Sequence, residues 1–214
     1  MPPFLKIRQV GDPVLRQRAR PLGLDELASP RIQALIEHMR DTMRDAPGVG
    51  LAAPQIGESL QLVVVEDPPQ LQTGLTPEQL AERERGAVPF HVLVNPQLTV
   101  VGEDTVDAFE GCLSFSSFVM AVQRARRVRV EALDQHGRGI LIEASGWYAR
   151  ILQHECDHLR GVVCIDRADP RTLATSDNHG RSWRGFTPDT LRGAQPPGEL
   201  GWPRVPAPAD DDGG

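Results

Sequence analysis

The sequence predicts an α+β fold in which antiparallel sheets pack around a central helix that carries an H-E-x-x-H motif. Three observations predict it. An amphipathic helical stretch precedes the strand-like segments, those segments include a clear antiparallel hairpin, and a second helical stretch follows them. No regular alternation of strand and helix runs through the chain, so segregated elements fit better than a parallel α/β design.

In chain order, the first strong element is a helix beginning at Ser29. Ser29 is a candidate N-cap, Pro30 suits the first helical position, and Ile32, Leu35, Ile36, Met39 and Met43 recur at helical spacing up to Pro47. His38 lies near that apolar face and reads as a packing residue. Residues 61–65 form a short apolar run, 91–94 a second, and 98–101 a third beyond Pro96. Between the first two, residues 66–89 hold Pro68, Pro69, Gly74, Pro77 and the charged run Ala81-Glu82-Arg83-Glu84-Arg85, which reads as an inserted surface loop with room for a short helix.

Residues 127–133 alternate cleanly, Asp134-Gln135-His136-Gly137 forms a turn, and residues 139–144 return as the second arm of a hairpin, with His136 a turn residue. The basic cluster Arg124, Arg126, Arg127 and Arg129 reads as the solvated face of a strand. The second helix covers residues 144–160, which contain no proline. Trp147, Ile151, Leu152 and Leu159 add apolar positions to one side, Gly146 lies near the start, and Gly161 stands where a C-terminal cap belongs. These segments suggest one domain over residues 1–170. Residues 171–214 read as an irregular tail, disordered from about Ala194, where proline and glycine dominate before Asp210-Asp211-Asp212-Gly213-Gly214.

Composition bounds the function. A chain of 214 residues, 40% of them hydrophobic, suits one domain with a sizeable core. A net charge of -6 argues against nucleic acid as the main ligand. No run approaches the ~18 apolar residues a membrane span needs. The start, Met1-Pro2-Pro3-Phe4-Leu5-Lys6, lacks the pattern of a secretory signal. Three scattered cysteines make no disulfide framework, which points to a reducing cytoplasm.

The most informative residues are His154-Glu155-Cys156-Asp157-His158. On a helix, side chains at i and i+4 share one face, so both imidazoles can reach one metal ion with the Glu155 carboxylate beside it. A hydrolytic site of this kind has three protein ligands and one open position. The third ligand is open at this point: Asp166, Asp169, Asp177 and His179 lie downstream, and Cys112 lies upstream in Glu110-Gly111-Cys112-Leu113-Ser114. Cys156 and Cys164 read as buried packing residues. The segment from Gly48 to Gly57 contains G-x-G-x-x-A, but a helix precedes it where a dinucleotide fold needs a strand, and Pro54 comes too early for a following helix.

Taken together the motifs resemble those of the peptide deformylases. G-V-G-L-A-A-P-Q stands at 48–55, E-G-C-L-S at 110–114 and Q-H-E-C-D-H-L at 153–159, in the family's order, and Gly11-Asp12-Pro13-Val14-Leu15-Arg16 looks like the family's start. The resemblance covers roughly residues 4–170. It implies a metal-dependent hydrolase that removes the N-terminal formyl group from formylmethionyl nascent polypeptides. Cys112, His154 and His158 would be the ligands, and Glu155 the general acid/base for a metal-bound water attacking the formyl carbon. The Gln55 amide and the Leu113 backbone N–H would be the oxyanion donors, with Gly50, Val49, Glu110 and Gly111 along the substrate. It also implies iron(II) as the physiological ion, with zinc, nickel or cobalt compatible with the same donors.

The implied partners are formylmethionyl nascent peptides and the ribosome near its exit tunnel, with no membrane and no direct nucleic-acid readout. Departures from the family pattern concentrate at Ser116-Ser117-Phe118-Val119-Met120, which resembles a substrate-side loop, and at the long 66–89 insertion. The region after Asp166 lacks the long terminal helix of some members. Gly146-Trp147-Tyr148-Ala149-Arg150-Ile151 resembles the mitochondrial branch, yet nothing long enough for a transit peptide precedes the family start, so a bacterial cytoplasm is the expectation. An endopeptidase of the zincin type would instead need a downstream third ligand. A metal-stabilised binding protein would need neither Glu155 nor Gln55.

Overall fold

The computed structural model describes residues 4–182, so the tail expected to be disordered from Ala194 lies outside the described residues. In chain order the elements are α1 (Leu24–Leu27), α2 (Pro30–Asp45), β1 (Gly50–Ala52), β2 (Leu62–Asp67), α3 (Pro77–Glu82), β3 (Val88–Val100) and β4 (Thr105–Cys112). They continue with β5 (Phe115–Ala125), β6 (Arg127–Leu133), β7 (Gly139–Ser145), α4 (Gly146–His158), β8 (Ala174–Thr175) and α5 (Ser176–Ser182). The strands pair antiparallel in a five-stranded sheet ordered β1-β2-β3-β6-β7 and a three-stranded sheet ordered β4-β5-β8.

Period-two alternation gives the large sheet two apolar faces. Val63, Val65, Leu93, Val128 and Val130 pack with Ala149, Leu152 and Leu159 of the α4 segment. Leu62, Val64, Val92 and Val94 point the other way, onto Ile32, Ile36, Met39 and Met43 of α2. The helix carrying the histidine motif is thus held against the sheet on one side. Its other side faces a smaller cluster in which Leu15, Met120, Val122 and Val163 surround Cys112 and Cys164.

Local chemistry explains the element ends. The Ser29 hydroxyl accepts from the Ile32 N–H, with Pro30 at the first helical position, as the sequence predicts. α4 ends at Gly161 in a left-handed conformation with φ +75°, where its N–H donates to the His158 carbonyl at 3.1 Å. The turn residue His136 is exposed, and its N–H is held by Asp134. The 66–89 segment contains the short helix α3, capped by Thr76 and Gln79. It is not loose beyond that helix: Glu84 pairs with Arg126, and Arg85 lies in a buried salt bridge with Asp67.

Four expectations change. The runs at 91–94 and 98–101 are one strand, because the ladder shifts between Val94 and Gln97 and so needs no donor from Pro96. Asn95 takes φ 52° at that bulge, and its amide exchanges bonds of 2.8 Å with both the N–H and the carbonyl of Leu22. β4 and β5 form a long hairpin that the sequence reading does not contain, and Ser116 to Met120 belong to β5 instead of a loop. Arg124 is not on a solvated face: it is 4% exposed and faces inward, while Arg126, Arg127 and Arg129 remain outside. Residues 171–182, expected as irregular tail, include the short strand β8, paired to β5 through Phe118 and Val119, and then α5.

Gly146 is demanded by the junction between β7 and α4. It sits at φ +56°, and a Cβ there would lie 2.6 Å from the Arg83 carbonyl oxygen and against the Glu84 Cβ. We expect Gly146→Ala to destabilise the protein by about 2 kcal/mol or more from backbone conformation and clash together. In thermal unfolding this reads as a fall of about 4–8 °C in Tm, and an unchanged Tm would refute the assigned junction.

Candidate metal centre

The site is assembled by α4, the turn between β4 and β5, and the segment after β1. Cys112, His154 and His158 converge, with one potential ligand atom from each lying within 4.8 Å of the others. Among the described residues no other group of three such side chains comes together in this way. Cys112 Sγ lies 3.4 Å from His158 Nε2, close to the ~3.6 Å edge expected between neighbouring ligands of a four-coordinate ion with bonds of about 2.1–2.3 Å. One thiol and two imidazoles, all buried, therefore fit a divalent transition metal. The downstream alternatives are used elsewhere. Asp166 pairs with Arg16, Asp169 caps the turn at Pro170–Thr172, Asp177 opens α5, and His179 stacks on Phe109 at 4.3 Å.

The histidines are prepared for this role by their surroundings. His154 Nδ1 lies 2.9 Å from Glu110 Oε2, which leaves Nε2 for a ligand. Burial alone would lower the His154 pKa, but the hydrogen bond and charge of Glu110 outweigh it and bring the imidazole to about 9. Burial, and then the charge of His154, keep His158 neutral, well below its ordinary value. A neutral imidazole is the form that binds metal, so His158 is ready for it, whereas His154 is oriented by Glu110 and would give up its Nε2 proton to a cation. The Cys112 thiol is held well above its ordinary range by its hydrogen bond with Cys164 and by burial, so it ionises only with a cation beside it. Cys164, read from the sequence as packing, is buried in the same cluster as Cys112 and thus also acts on the thiol of a candidate ligand.

Glu110 anchors a buried polar network. Its carboxylate accepts from Arg124 at 2.9 and 3.0 Å and from Arg150 at 2.6 Å, besides contacting His154. Burial would raise its pKa, but the bonds from His154 and Arg124 more than offset that and hold it below the carboxylate range. Arg124 also donates to Asp157, which takes two further bonds from Arg167 at 2.6 and 2.7 Å. The Glu110 side chain is therefore committed to the protein. Neither Arg124 nor Arg150 figured among the sequence candidates. The signals in the sequence were an arginine in a strand-like run for Arg124 and an arginine within the predicted helix for Arg150.

Glu155 behaves differently. It is buried, Oε2 has no hydrogen-bond partner among the described residues, and burial raises its pKa to about 7. Gly50 makes room for it: a Cβ at Gly50 would lie 2.6 Å from the Glu155 carboxyl carbon. Gln55 is oriented by its own backbone, since Oε1 accepts from the Ala52 N–H at 2.8 Å and turns Nε2 toward Cys112 Sγ, 3.8 Å away, and Ser114 Oγ, 3.3 Å away. Leu113 follows the cysteine in the tight turn between β4 and β5. The N-terminal segment fastens both donor loops: Arg8 N–H donates to the Gln55 carbonyl, Val10 N–H to the Ser114 carbonyl, each at 2.7 Å, and Gln9 Nε2 to the Leu113 carbonyl at 3.0 Å.

These groups open into a cavity of about 410 Å³ whose walls include Val49, Gly50, Gly111, Leu113, Trp147 and Ile151. Ser116, Ser117 and Phe118 of β5 border it as well, whereas Met120 is fully buried in the core. All the residues expected to touch the substrate or the reacting atoms line this one space, together with Cys112 and His154. Among the described residues no helix is long and apolar enough to cross a membrane.

Comparison with known proteins gives a consistent result. Residues 4–174 match the family described as polypeptide deformylase. Peptide deformylase 3 of Streptomyces avermitilis is 44% identical over 191 residues, which is 89% of this chain and 83% of that protein. The mitochondrial peptide deformylase of Homo sapiens is 42% identical over 172 residues, 80% of this chain and 71% of that one. Among solved structures, the Met-Ala-Ser-bound class I type b peptide deformylase of Acinetobacter baumannii aligns with a TM-score of 0.69 at 31% identity, over 78% of this chain and 99% of that one.

Proposed function

The chain belongs to the peptide deformylase family, metal-dependent hydrolases that remove the N-formyl group from nascent polypeptides, and from that premise we propose how its own residues divide the work. Cys112, His154 and His158 would hold one divalent ion, iron(II) by the family resemblance, with nickel, cobalt or zinc suited to the same donors. When bound, the ion supplies Lewis acidity that lowers the pKa of a water and polarises the formyl carbonyl. Glu155, with a pKa of about 7 and a carboxylate oxygen unpartnered among the described residues, is placed to take a proton from the attacking water and deliver it to the departing amine. Gln55 Nε2 and the Leu113 N–H donate to the formyl oxygen as negative charge builds on it. Each such donor is worth about 3 kcal/mol in transition-state stabilisation.

β1 is an edge strand, so the Gly50 backbone is placed to pair with an extended peptide, with Gly111 also lining the cavity, while the Val49 carbonyl accepts from the Glu66 N–H and Val49 borders the space by its side chain. The methionine side chain occupies the apolar space beside Ile151, nearer the metal end of the cavity than Trp147. We place the protein where formylmethionyl chains are made, a bacterial cytoplasm, acting on peptides as they leave the ribosome.

The observation that carries this division is the convergence of an unpartnered Glu155 oxygen and an oriented Gln55 amide on the same three donors. Protein prepared anaerobically and loaded with iron(II) or nickel should release formate from a formylmethionyl tripeptide, with metal content measured on the same sample. Fully loaded protein that releases none would sink the assignment.

A further inference from the structure

The residues above account for the methionine end of a substrate, yet the 66–89 insertion is fastened to the mouth of the same cavity. The Arg83 carbonyl accepts from the Trp147 N–H at 2.9 Å, and the space left by Gly146 lets that oxygen approach. The guanidinium carbons of Arg83 and Arg85 stand 5.7 and 5.0 Å from the centre of the Trp147 ring, itself a wall of the cavity. The two cations differ in what else they touch. Arg85 makes two bonds of 2.8 Å to the fully buried Asp67 carboxylate. Arg83 forms no salt bridge with any carboxylate among the described residues.

Arg83 also acts electrostatically on α5, which contributes Ser176 to the lining of the cavity. Its charge lowers the His179 pKa, after burial, and His179 shares α5 with Ser176, which lines the cavity. Trp147 precedes His154 by seven residues, roughly 10 Å along the helix axis. An extended peptide covers that distance in about three residues. The second and third residues of a substrate anchored at the metal end therefore pass near Arg83.

We propose that Arg83 is a specificity-determining residue, whose guanidinium, without a carboxylate partner among the described residues and packed on the Trp147 wall of the cavity, favours formylmethionyl peptides with a carboxylate at the second or third position over those with an ammonium group there. This rests on the site assignment made above. A single charge at about 7 Å in a water-like medium changes binding on the order of 3-fold, so attraction of one peptide and repulsion of the other separates them by about 10-fold. The separation shrinks at about 1 M salt, where the screening length is about 3 Å.

The test is kcat/KM of the metal-loaded full chain on formyl-Met-Ala-Glu-amide and formyl-Met-Ala-Lys-amide, at low and high salt. The parent should prefer the glutamate peptide by about 10-fold at low salt, chiefly through KM. The ratio should fall toward unity in Arg83→Gln and invert in Arg83→Glu. Because each ratio is internal to one protein sample, partial misfolding moves both peptides alike and leaves the ratio untouched. An equal ratio in the parent and Arg83→Glu overturns the proposal alone, leaving the site assignment standing. No formate from either peptide with the loaded parent overturns the site assignment and the proposal with it.

Discussion

Glu155→Gln should lower kcat by about 10²–10⁴-fold while the protein keeps its fold and the metal content of the parent. The substitution preserves shape, so the pocket opposite Gly50 stays filled and the helix face stays packed. What it removes is a proton acceptor. The carboxylate is a buried acid at the site whose Oε2 has no hydrogen-bond partner among the described residues, and burial has brought its pKa to about 7, near the value that best serves a group taking a proton and returning it. None of the three ligands depends on Glu155 for position, since His154 is held through Glu110 and Cys112 contacts Cys164 and Gln55. Metal analysis and steady-state turnover on one preparation check this. Turnover within tenfold of the parent at full metal loading would remove Glu155 from proton transfer, and loss of metal would move it into the ligand set instead.

The parts of this molecule that were legible in the sequence are those whose physics is local. α2 shows its period, its serine cap and its proline; α4 shows two histidines at helical spacing and a terminal glycine; the β6–β7 hairpin shows clean alternation around a polar turn. The β4–β5 hairpin was not legible because its inward positions break the apolar pattern. Glu110 and Arg124 point inward there, where alternation calls for aliphatic residues, and Ser117 takes φ 68° within the strand. A charged residue in a strand is ordinarily a surface residue, and only its cross-chain partner shows otherwise. The third metal ligand was open for the same reason. Local spacing sees His154 and His158, but Cys112 reaches them from another element, 42 residues before His154, and motif order was the only sequence signal linking them.

That same inward polarity leads to the second large effect, which concerns a residue outside the reaction itself. Glu110→Gln should cost about 3–5 kcal/mol of stability, because Arg124 and Arg150 lose the carboxylate that neutralises them in a buried setting. It should also weaken metal binding by about 10–100-fold, since the amide is a poorer acceptor for the His154 Nδ1 proton and no longer raises the basicity of Nε2. Asp157→Asn separates the two consequences. It strips Arg124 and Arg167 of a carboxylate but touches neither histidine through a side-chain bond, so stability should fall while metal affinity, compared at matched folded fraction, stays near the parent's. Chelator competition alongside thermal unfolding reads both quantities. Equal loss of metal affinity in the two variants would mean that the network acts on the site only through general loosening of the fold. A loss confined to Glu110→Gln assigns Glu110 to the histidine it holds, and explains why an arginine is buried behind the site: together with His154, Arg124 keeps that carboxylate ionised where burial would otherwise protonate it.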